Sequence, residues 1–580
     1  MTHPERPRPG TVGRVSDIVF DRAPRFAELT QWLRQLATEH PDLLQLDVLG
    51  QSYEGRELWI ATVTNTATGP HDEKPAIWLD GNIHATETTA SVALLHLLHT
   101  LCTGNDDTIT RALDTRTFYV VPRVNPDGAE LALAEVPFKV RSTVRQWPIA
   151  DQQPGFVVSD IDLDGRTLQM RVGDPNGTWK PSSADPRLLV PREPDEDGTG
   201  PYYRLFREGT IEHYDGVQVP IAPPLHGIDS NRNFPYDWER RPGSAPWGAG
   251  DYPTSEPEIR AIVQGVTDRP NITAYFAYHT FSGVHLRPFG NKPQDAYPSV
   301  DLWTFQDLGE RYTAMTGYPS ISILEDFRYD PKTAIGGSGS DWGYDQVGLI
   351  SWTTEFWNPL KAAGIADPHP IEWYRAHSLD DELQLLAWAD ENVTDGYVDW
   401  YEYDHPQLGR VELGGWNSAG LFVNPPPHLL EAEVAPHTDL AIFQALGAPS
   451  LRHRETLVEP AGDGAWRVRV VVENSGWLPT NVTRMAIDRH VVQPLRARID
   501  LPDGAELVTG RDTLELGQLA GRALKTSSIG MLSFGYDDTS DRTVAEWVVR
   551  APAGTICPVE LRHDRAGVVR VEVELQRRRS

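Results

Sequence analysis

Apolar residues form short continuous runs in the first three quarters of the chain, with longer amphipathic stretches between them. Runs of three to six residues predict strands, the continuous ones buried on both faces, and apolar positions at helical spacing predict helices. Strands that alternate with helices favour an α/β fold with a mixed, largely parallel sheet and helices on both faces. The predicted strands are 44–49, 77–79, 118–121, 274–278 and 349–353, and the predicted helices are 26–37, 88–98 and one opening at 255–258.

The pattern changes after residue 450, where apolar and polar residues alternate over 466–472, 543–549 and 568–575. Alternation with a period of two is typical of half-buried strands, and predicts a separate C-terminal all-β sandwich domain. Residues 146–224 are rich in Asp, Gly and Pro and predict an insertion at the surface. The predicted division is a tail at 1–20, a body at 21–428 that contains this insertion, a connecting segment at 429–450 and the sandwich at 451–580.

Composition and charge restrict the partners and the location of the chain. The 580 residues carry a formal net charge of -29, which opposes binding to nucleic acid or to an anionic membrane surface. Two cysteines rule out a disulfide framework, and the polar start at 1–10 lacks the apolar segment of a signal peptide. We therefore expect a cytoplasmic protein without a nucleic-acid or membrane partner, and the sequence leaves its oligomeric state open.

His84 and Glu87 lie three residues apart in the stretch after the predicted strand 77–79. On one turn of the chain, both side chains can point at the same ion, and His279 at the end of the run 274–278 is a candidate third ligand. Two imidazoles and one carboxylate, with a coordination position left for water, are typical of catalytic zinc. The sequence therefore predicts one Zn²⁺ per chain.

Further short motifs follow the His84–Glu87 pair in a fixed order. With these motifs in this order, the chain resembles the zinc metallocarboxypeptidases of the carboxypeptidase A type over about residues 20–400. The resemblance implies the family's fold for the body and says nothing specific about the C-terminal domain. The motifs are Gly50–Arg56, Val124–Gly128, Ile228–Asn233, Ser255–Glu258, Tyr278–Thr280, Arg287–Gly290, Ser340–Asp345 and Thr353–Phe356.

The resemblance assigns the catalytic groups. It implies that His84, Glu87 and His279 bind the zinc, which activates a water, and that Glu355 is the general base that takes the proton from this water. Arg141 matches the family's oxyanion-stabilising arginine, with Arg145 as the alternative.

The resemblance also assigns residues that contact the substrate. Asn231 and Arg232 match the pair that holds the substrate's free C-terminal carboxylate, for which a guanidinium offers a planar fork. Gly290, Ser340 and Thr353 match positions around the pocket for the C-terminal side chain. The partner implied is a peptide with a free C-terminal carboxylate, with a small or polar side chain at that end.

Two positions depart from the family pattern. The family's mobile tyrosine would fall at Thr333, so that Tyr329 is the nearest candidate for its role, and an ordinary packed aromatic is an equal alternative. Thr86 stands where many members have an arginine between the two ligands, which affects subsites upstream of the cleaved bond.

The function expected from these residues is zinc-dependent hydrolysis of the C-terminal peptide bond. One alternative is a zinc amidohydrolase that acts on a non-peptide or cell-wall substrate. Another is a catalytically inactive peptide-binding module, although a binding module has no chemical need for an open position on zinc.

Overall fold

The computed structural model describes residues 18–240, 248–330, 332–523 and 538–576. The predicted tail at 1–20 therefore lies almost wholly outside the described residues. Within the described ranges, no helix is both long enough and apolar enough to cross a membrane.

The first 132 residues supply the first strands of the central sheet and the helices that cover it. Strands β3 and β4 are buried along their whole length, which explains their continuous apolar runs. The elements are α1 (Phe26–Glu39), β1 (Leu44–Gln51), β2 (Glu57–Val63), β3 (Ala76–Gly81), α2 (Thr89–Thr103), α3 (Asp107–Thr115), β4 (Thr117–Val121) and α4 (Pro126–Ala132).

The predicted insertion at 146–224 contains six strands of three to five residues rather than irregular loops alone. Their burial is mixed, so no periodic apolar pattern marks them in the sequence. They are β5 (Gly155–Val158), β6 (Gln169–Gly173), β7 (Trp179–Pro181), β8 (Leu189–Pro191), β9 (Tyr203–Arg207) and β10 (Gly209–Glu212).

The chain after the insertion completes the body. The segment predicted as a connection, 429–450, falls largely in a 21-residue helix, α12, that packs against α2 and α6. The elements are α5 (Pro257–Thr267), β11 (Ile272–Thr280), β12 (Val284–Arg287), α6 (Ser299–Thr316), β13 (Ser320–Ser322), α7 (Ile323–Asp326), α8 (Gly339–Asp345), β14 (Ile350–Phe356), α9 (Pro359–Ala362), α10 (Glu372–Arg375), α11 (Leu379–Asn392), β15 (Tyr397–His405), β16 (Gly409–Trp416) and α12 (Pro427–Gly447).

The central sheet has eight strands in the order β1-β2-β4-β3-β11-β14-β12-β13. Strands β4, β3, β11 and β14 are parallel neighbours, and β13 is parallel to β12. The β1–β2, β2–β4 and β12–β14 pairs are antiparallel. Tyr275 contacts α8 and the next residue, Phe276, contacts α6, so helices cover both faces. The predicted mixed, largely parallel sheet is confirmed, and the carboxyl ends of β3, β11 and β14 meet at one edge.

A second, antiparallel sheet joins the insertion to the later part of the body in the order β15-β16-β6-β9-β7-β8. Arg171 of β6 links its strands: the guanidinium donates to both carboxylate oxygens of Glu412, at 2.9 and 3.0 Å. The same guanidinium lies over the rings of Tyr203 and Trp400, at 4.6 and 4.5 Å. The insertion is thus anchored to residues more than 200 positions away.

The C-terminal region folds into two four-stranded antiparallel sheets, β17-β18-β22-β20 and β21-β19-β23-β24, around their own apolar cluster. The predicted all-β sandwich is confirmed. Buried Arg565 fixes it to the body by donating to the carbonyl oxygens of Gly348 and Val347, at 2.9 and 2.6 Å. The elements are β17 (Leu451–Gly462), β18 (Ala465–Asn474), α13 (Arg484–Asp488), β19 (Arg496–Ile499), β20 (Glu506–Thr509), β21 (Thr513–Glu515), β22 (Arg542–Arg550), β23 (Ile556–His563) and β24 (Gly567–Glu574).

Candidate metal centre and active site

The three predicted metal ligands meet at the carboxyl edge of the central sheet. His84 and Glu87 lie in the turn between β3 and α2, and His279 is the penultimate residue of β11. All three are at least 96 % buried, and one ligand atom of each lies within 4.8 Å of the others. The sequence-predicted triad is therefore assembled in space.

The hydrogen bonds around His84 leave a lone pair pointing into the triad. Its Nε2 lies 3.0 Å from Oδ1 of Asp229, a buried carboxylate that accepts the Nε2 proton when the imidazole is the neutral tautomer that binds a metal through Nδ1. Nδ1 is then an acceptor, yet it lies 2.8 Å from Oε1 of Glu87 and 3.1 Å from Nδ1 of His279. Electron pairs that converge in a buried site are stabilised by a cation, and two nitrogens with one carboxylate oxygen suit zinc.

Asp229 is a supporting residue that the sequence reasoning did not assign. Burial would raise the pKa of this carboxyl group, but the charges of Arg232 and Arg141 outweigh it and hold the pKa well below its usual range. Asp229 thus stays ionised and fixes the tautomer of His84. The sequence could have suggested a role for Asp229, since it lies two residues before Asn231 in the motif Ile228–Asn233.

Among the described residues, one other group of ligand-type atoms comes as close together: Asp160, Asp162 and Glu208 in the insertion. Both carboxylate oxygens of Glu208 already accept backbone N–H groups, from Ile161 and Leu168. This group has oxygen atoms only, so it lacks the imidazole ligands typical of catalytic zinc. The His84 triad is the better zinc site.

Glu355, the predicted general base, lies on β14 directly beside His279 of β11. Paired residues on neighbouring strands project to the same face of a sheet, which brings the Glu355 carboxyl group to the triad. Its Oε2 is buried and has no hydrogen-bond partner among the described residues. Burial, together with the charge of Glu87, raises the pKa of Glu355 well above its usual value.

The two arginines considered for the oxyanion have different partners. Arg141 lies at the metal centre, where Nη1 donates to Oε1 of Glu87 at 3.3 Å and Nε donates to Oδ2 of Asp229 at 3.2 Å. Arg145 instead donates to both oxygens of Glu256, at 2.7 and 3.2 Å. The structure therefore brings Arg141, and not Arg145, to the predicted ligands.

Asn231 and Arg232 lie on a single 3₁₀ turn, Ser230–Arg232, that Asp229 caps by accepting from the backbone N–H of Asn231 at 2.9 Å. Oδ1 of Asn231 accepts from the backbone N–H of Gly339 at 2.9 Å, which leaves the side-chain NH₂ group as the outward donor. Arg232 is 5 % exposed, with Nη2 3.9 Å from Oδ2 of Asp229. The pair thus sits beside the metal centre through a shared carboxylate.

Tyr329 reaches the same site from its rim. The residue is 43 % exposed, but its phenol end is close to the charged groups of the centre. Burial of the hydroxyl group raises its pKa to about 12. The charge of Glu355 also raises this pKa, whereas the charge of Arg141 lowers it. Thr333 is held instead in a turn, by a bond of 3.0 Å from its backbone N–H to the carbonyl of Asp330.

Gly290, Ser340 and Thr353 are all buried. Thr353 precedes Glu355 by two residues on β14 and so shares its face. The backbone N–H of Gly290 donates to Oδ2 of Asp341 at 2.9 Å, and a Cβ at Gly290 would lie 2.9 Å from the carbonyl oxygen of Ile335. A side chain at 290 would therefore displace backbone.

Two other motifs hold the scaffold around the site. Asp127 accepts from the hydroxyl of Ser52 at 2.7 Å and from the guanidinium of Arg56 at 2.6 Å, which ties the β1–β2 turn to α4. The Asn125 amide donates to the carbonyl of Ser142 at 2.6 Å and positions the segment that carries Arg141. These motifs support the site and do not line it.

Comparisons with known proteins agree with this geometry. Residues 29–365 match the zinc carboxypeptidase family, and residues 450–574 match a domain of unknown function. The chain is 25 % identical over 349 residues to a zinc carboxypeptidase of Simulium vittatum, covering 58 % of this chain and 87 % of that protein. It is 34 % identical over 334 residues to carboxypeptidase B of Astacus astacus, covering 56 % of this chain and 82 % of that protein.

Among solved structures, the chain is similar to the crystal structure of thrombin activatable fibrinolysis inhibitor (TAFI), with 18 % identity and a TM-score of 0.39. That similarity covers 66 % of this chain and 76 % of that one. The family match extends over more than half of the 580 residues and includes the whole metal centre. The chain belongs to the zinc carboxypeptidase family and is a zinc metallocarboxypeptidase.

Proposed function

We propose that this enzyme removes the C-terminal residue of peptides, with His84, Glu87 and His279 holding the zinc and Glu355 moving the proton. The strongest support is the position of Glu355, whose buried, unpartnered oxygen lies on the strand next to His279. When bound, zinc polarises the peptide carbonyl and lowers the pKa of water. Glu355 takes the proton from the attacking water and passes it to the leaving amine.

The substrate's free carboxylate is held by Arg232 and Asn231 in this proposal. A guanidinium binds a carboxylate through two parallel N–H···O bonds, and the outward NH₂ group of Asn231 adds a third donor. Because the clamp shares Asp229 with His84, the terminal residue is held at a fixed distance from the metal. Such a clamp selects for cleavage of the last bond.

Arg141 stabilises the negative charge that develops on the carbonyl oxygen during attack. Its guanidinium is partly buried and donates to Glu87 and Asp229, which hold its side chain in one orientation. A preorganised cation aimed at the reacting bond stabilises the transition state more than the ground state. Tyr329, at the rim, adds a hydroxyl that closes the site over the bound residue.

The proton-transfer role of Glu355 is tested by Glu355→Gln, which keeps the shape of the side chain and removes the base. We expect kcat for release of a C-terminal residue to fall by about 10³-fold or more, because general acid–base catalysis contributes about 10²–10⁴-fold. Zinc content should stay at that of the wild type. The matched control is Glu310→Gln on the exposed side of α6, which should keep full activity. A fully active Glu355→Gln enzyme would refute the assignment.

The clamp is tested by comparing one peptide with a free and with an amidated C-terminus. We expect the amide to be cleaved at least about 10²-fold more slowly, since a buried charged pair loses one partner. Equal rates would favour the amidohydrolase alternative. Zinc binding without turnover on any peptide would favour the binding-module alternative.

A further inference from the structure

A cavity of about 550 Å³ lies between the second sheet and helices α10 and α11. Its lining is dominated by aromatic side chains, of which eight contribute, and this cavity is called the aromatic pocket below. The volume is within the range of sites that bind small ligands, about 300–1,000 Å³. Its lining includes Trp179, Phe281, Tyr374, Trp400, Trp416 and Phe422.

The aromatic pocket comes nearest to the metal ligands in the chain at Phe281, two residues after His279. Phe281 follows Thr280, whose backbone N–H donates to Oε2 of the metal ligand Glu87 at 3.2 Å. The ring centroid of Phe281 lies 5.3 Å from that of Tyr374. The ring centroid of Tyr374 lies 5.8 Å from that of Phe422, another residue of the pocket lining. A ligand in the aromatic pocket is therefore in reach of a chain bound at the metal.

A second, smaller cavity of about 230 Å³ lies beside the metal motif. Thr86, between the two ligands His84 and Glu87, lines this cavity, and Thr167 of the insertion lines both. The short side chain of Thr86 leaves space in this cavity. Thr167 brings the insertion into the walls of both cavities.

The direction of the substrate follows from the clamp. None of Asn231, Arg232, Gly290 and Ser340 lines either cavity. In the proposed binding mode, a peptide held at Arg232 by its last carboxylate places its upstream residues past the metal ligands, toward Thr86 and Phe281. Residues upstream of the cleaved bond are therefore the ones that reach the aromatic pocket.

The indole N–H groups of Trp400 and Trp416 in the pocket wall are already bonded, so these residues offer apolar ring faces to an occupant. The indole N–H of Trp400 donates to the carbonyl of Arg187 at 2.8 Å, and the indole N–H of Trp416 donates to Glu382 at 3.0 Å. Glu382 also lies 3.6 Å from the ring of His377. A cationic side chain would find Glu382 already paired, and an acidic one would meet the lining cation Arg207, whereas an apolar one loses only water. Peptides with Glu therefore test the role of Arg207.

We propose that the aromatic pocket binds a large apolar side chain of the substrate, upstream of the cleaved bond, and selects peptides that carry one. This inference rests on the proposed carboxypeptidase function and adds a second point of recognition to it. The C-terminal carboxylate fixes which bond is cut, and the aromatic pocket determines which peptides are cut efficiently.

The test uses glycine-rich peptides that share one C-terminal residue and carry a single Trp, Leu or Glu at each upstream position in turn. We expect Trp or Leu at one position to raise kcat/KM about tenfold or more over Gly, and Glu not to raise it. Tyr374→Ala and Phe422→Ala should reduce this ratio to below about threefold. Tyr374 is 36 % exposed, so its removal does not open a sealed core.

The matched control is Trp303→Ala, an aromatic on α6 that is 55 % exposed and does not line the pocket, which should keep the wild-type ratio. Efficient cleavage of all peptides with a flat profile, or a ratio that survives both pocket substitutions, would overturn the inference and leave the carboxypeptidase function intact. If no peptide is cleaved, the proposed function fails. The pocket is then tested separately by calorimetric Kd values for Trp and Gly peptides, measured with the wild type and with Tyr374→Ala.

Discussion

The metal centre and the aromatic pocket adjoin each other, yet they are built in different ways. The metal centre lies at the end of β3, β11 and β14, which are buried along their whole length, and its ligands come from the turn after β3 and the end of β11. The aromatic pocket lies against the second sheet, whose strands are antiparallel and of mixed burial, such as β15. The metal centre is held by buried strands, whereas the aromatic pocket depends on pairing between segments that are distant in the sequence.

This difference separates chemistry from selectivity. Residues at the sheet edge act on the bond and the carboxylate that every substrate shares, so a change there should affect all peptides alike. Residues of the aromatic pocket act on one variable side chain, so a change there should affect peptides unequally. The predictions below use this contrast.

The largest effect is expected for Arg232→Ala at the sheet edge. Loss of the guanidinium leaves a substrate carboxylate without its partner, which costs about 2–5 kcal/mol and lowers kcat/KM by a factor of about 30 to 4,000. The loss should be the same for peptides with and without an upstream Trp. Steady-state kinetics measures it, with exposed Arg34→Ala as the control. A loss confined to Trp peptides would break the separation between the two regions.

A somewhat smaller effect is expected for Arg141→Ala, which should lower kcat by about 10²-fold, as the loss of an oxyanion donor does. Arg145→Ala is the matched control because its guanidinium pairs with buried Glu256, away from the ligands. It should lower thermal stability with little change in kcat. The reverse result, a slow Arg145→Ala and a fast Arg141→Ala enzyme, would transfer the oxyanion role to Arg145.

In the second sheet, Arg171→Met should lower the free energy of unfolding by about 1–3 kcal/mol, because Glu412 loses a charged hydrogen-bond partner. Chemical denaturation measures this loss. Exposed Arg204→Ala, which breaks the pair with Asp174, should cost less than about 1 kcal/mol. Zinc content should stay unchanged in both variants. Loss of zinc from Arg171→Met would show that the second sheet also supports the metal.

The central sheet was predictable because burial on both faces leaves a continuous apolar run. The runs 77–79, 274–278 and 349–353 fall within or overlap β3, β11 and β14. The strands of the insertion were not predicted. Strands of three to five residues have too few positions to show a period, and partners such as Glu412 for Arg171 lie far away in sequence.

The residues of the candidate site could be predicted where they lie in short, recognisable sequence motifs. His84, Glu87, His279 and Glu355 come together as expected, and the choice of Arg141 over Arg145 agrees with the contacts of both. Asp229 was missed because its role depends on a contact with His84, 145 residues away. The catalytic and binding roles of these residues, the domain boundaries and the cytoplasmic location stay predictions.

The most direct test of the metal centre is the zinc content of purified wild-type, His279→Ala and His428→Ala proteins, measured by mass spectrometry, with X-ray absorption of the bound metal. We predict one zinc per wild-type chain with nitrogen and oxygen ligands only, little zinc in His279→Ala, and full occupancy in His428→Ala, where an exposed histidine is removed. Full occupancy in His279→Ala, or sulfur among the ligands, would contradict the assignment of His84, Glu87 and His279.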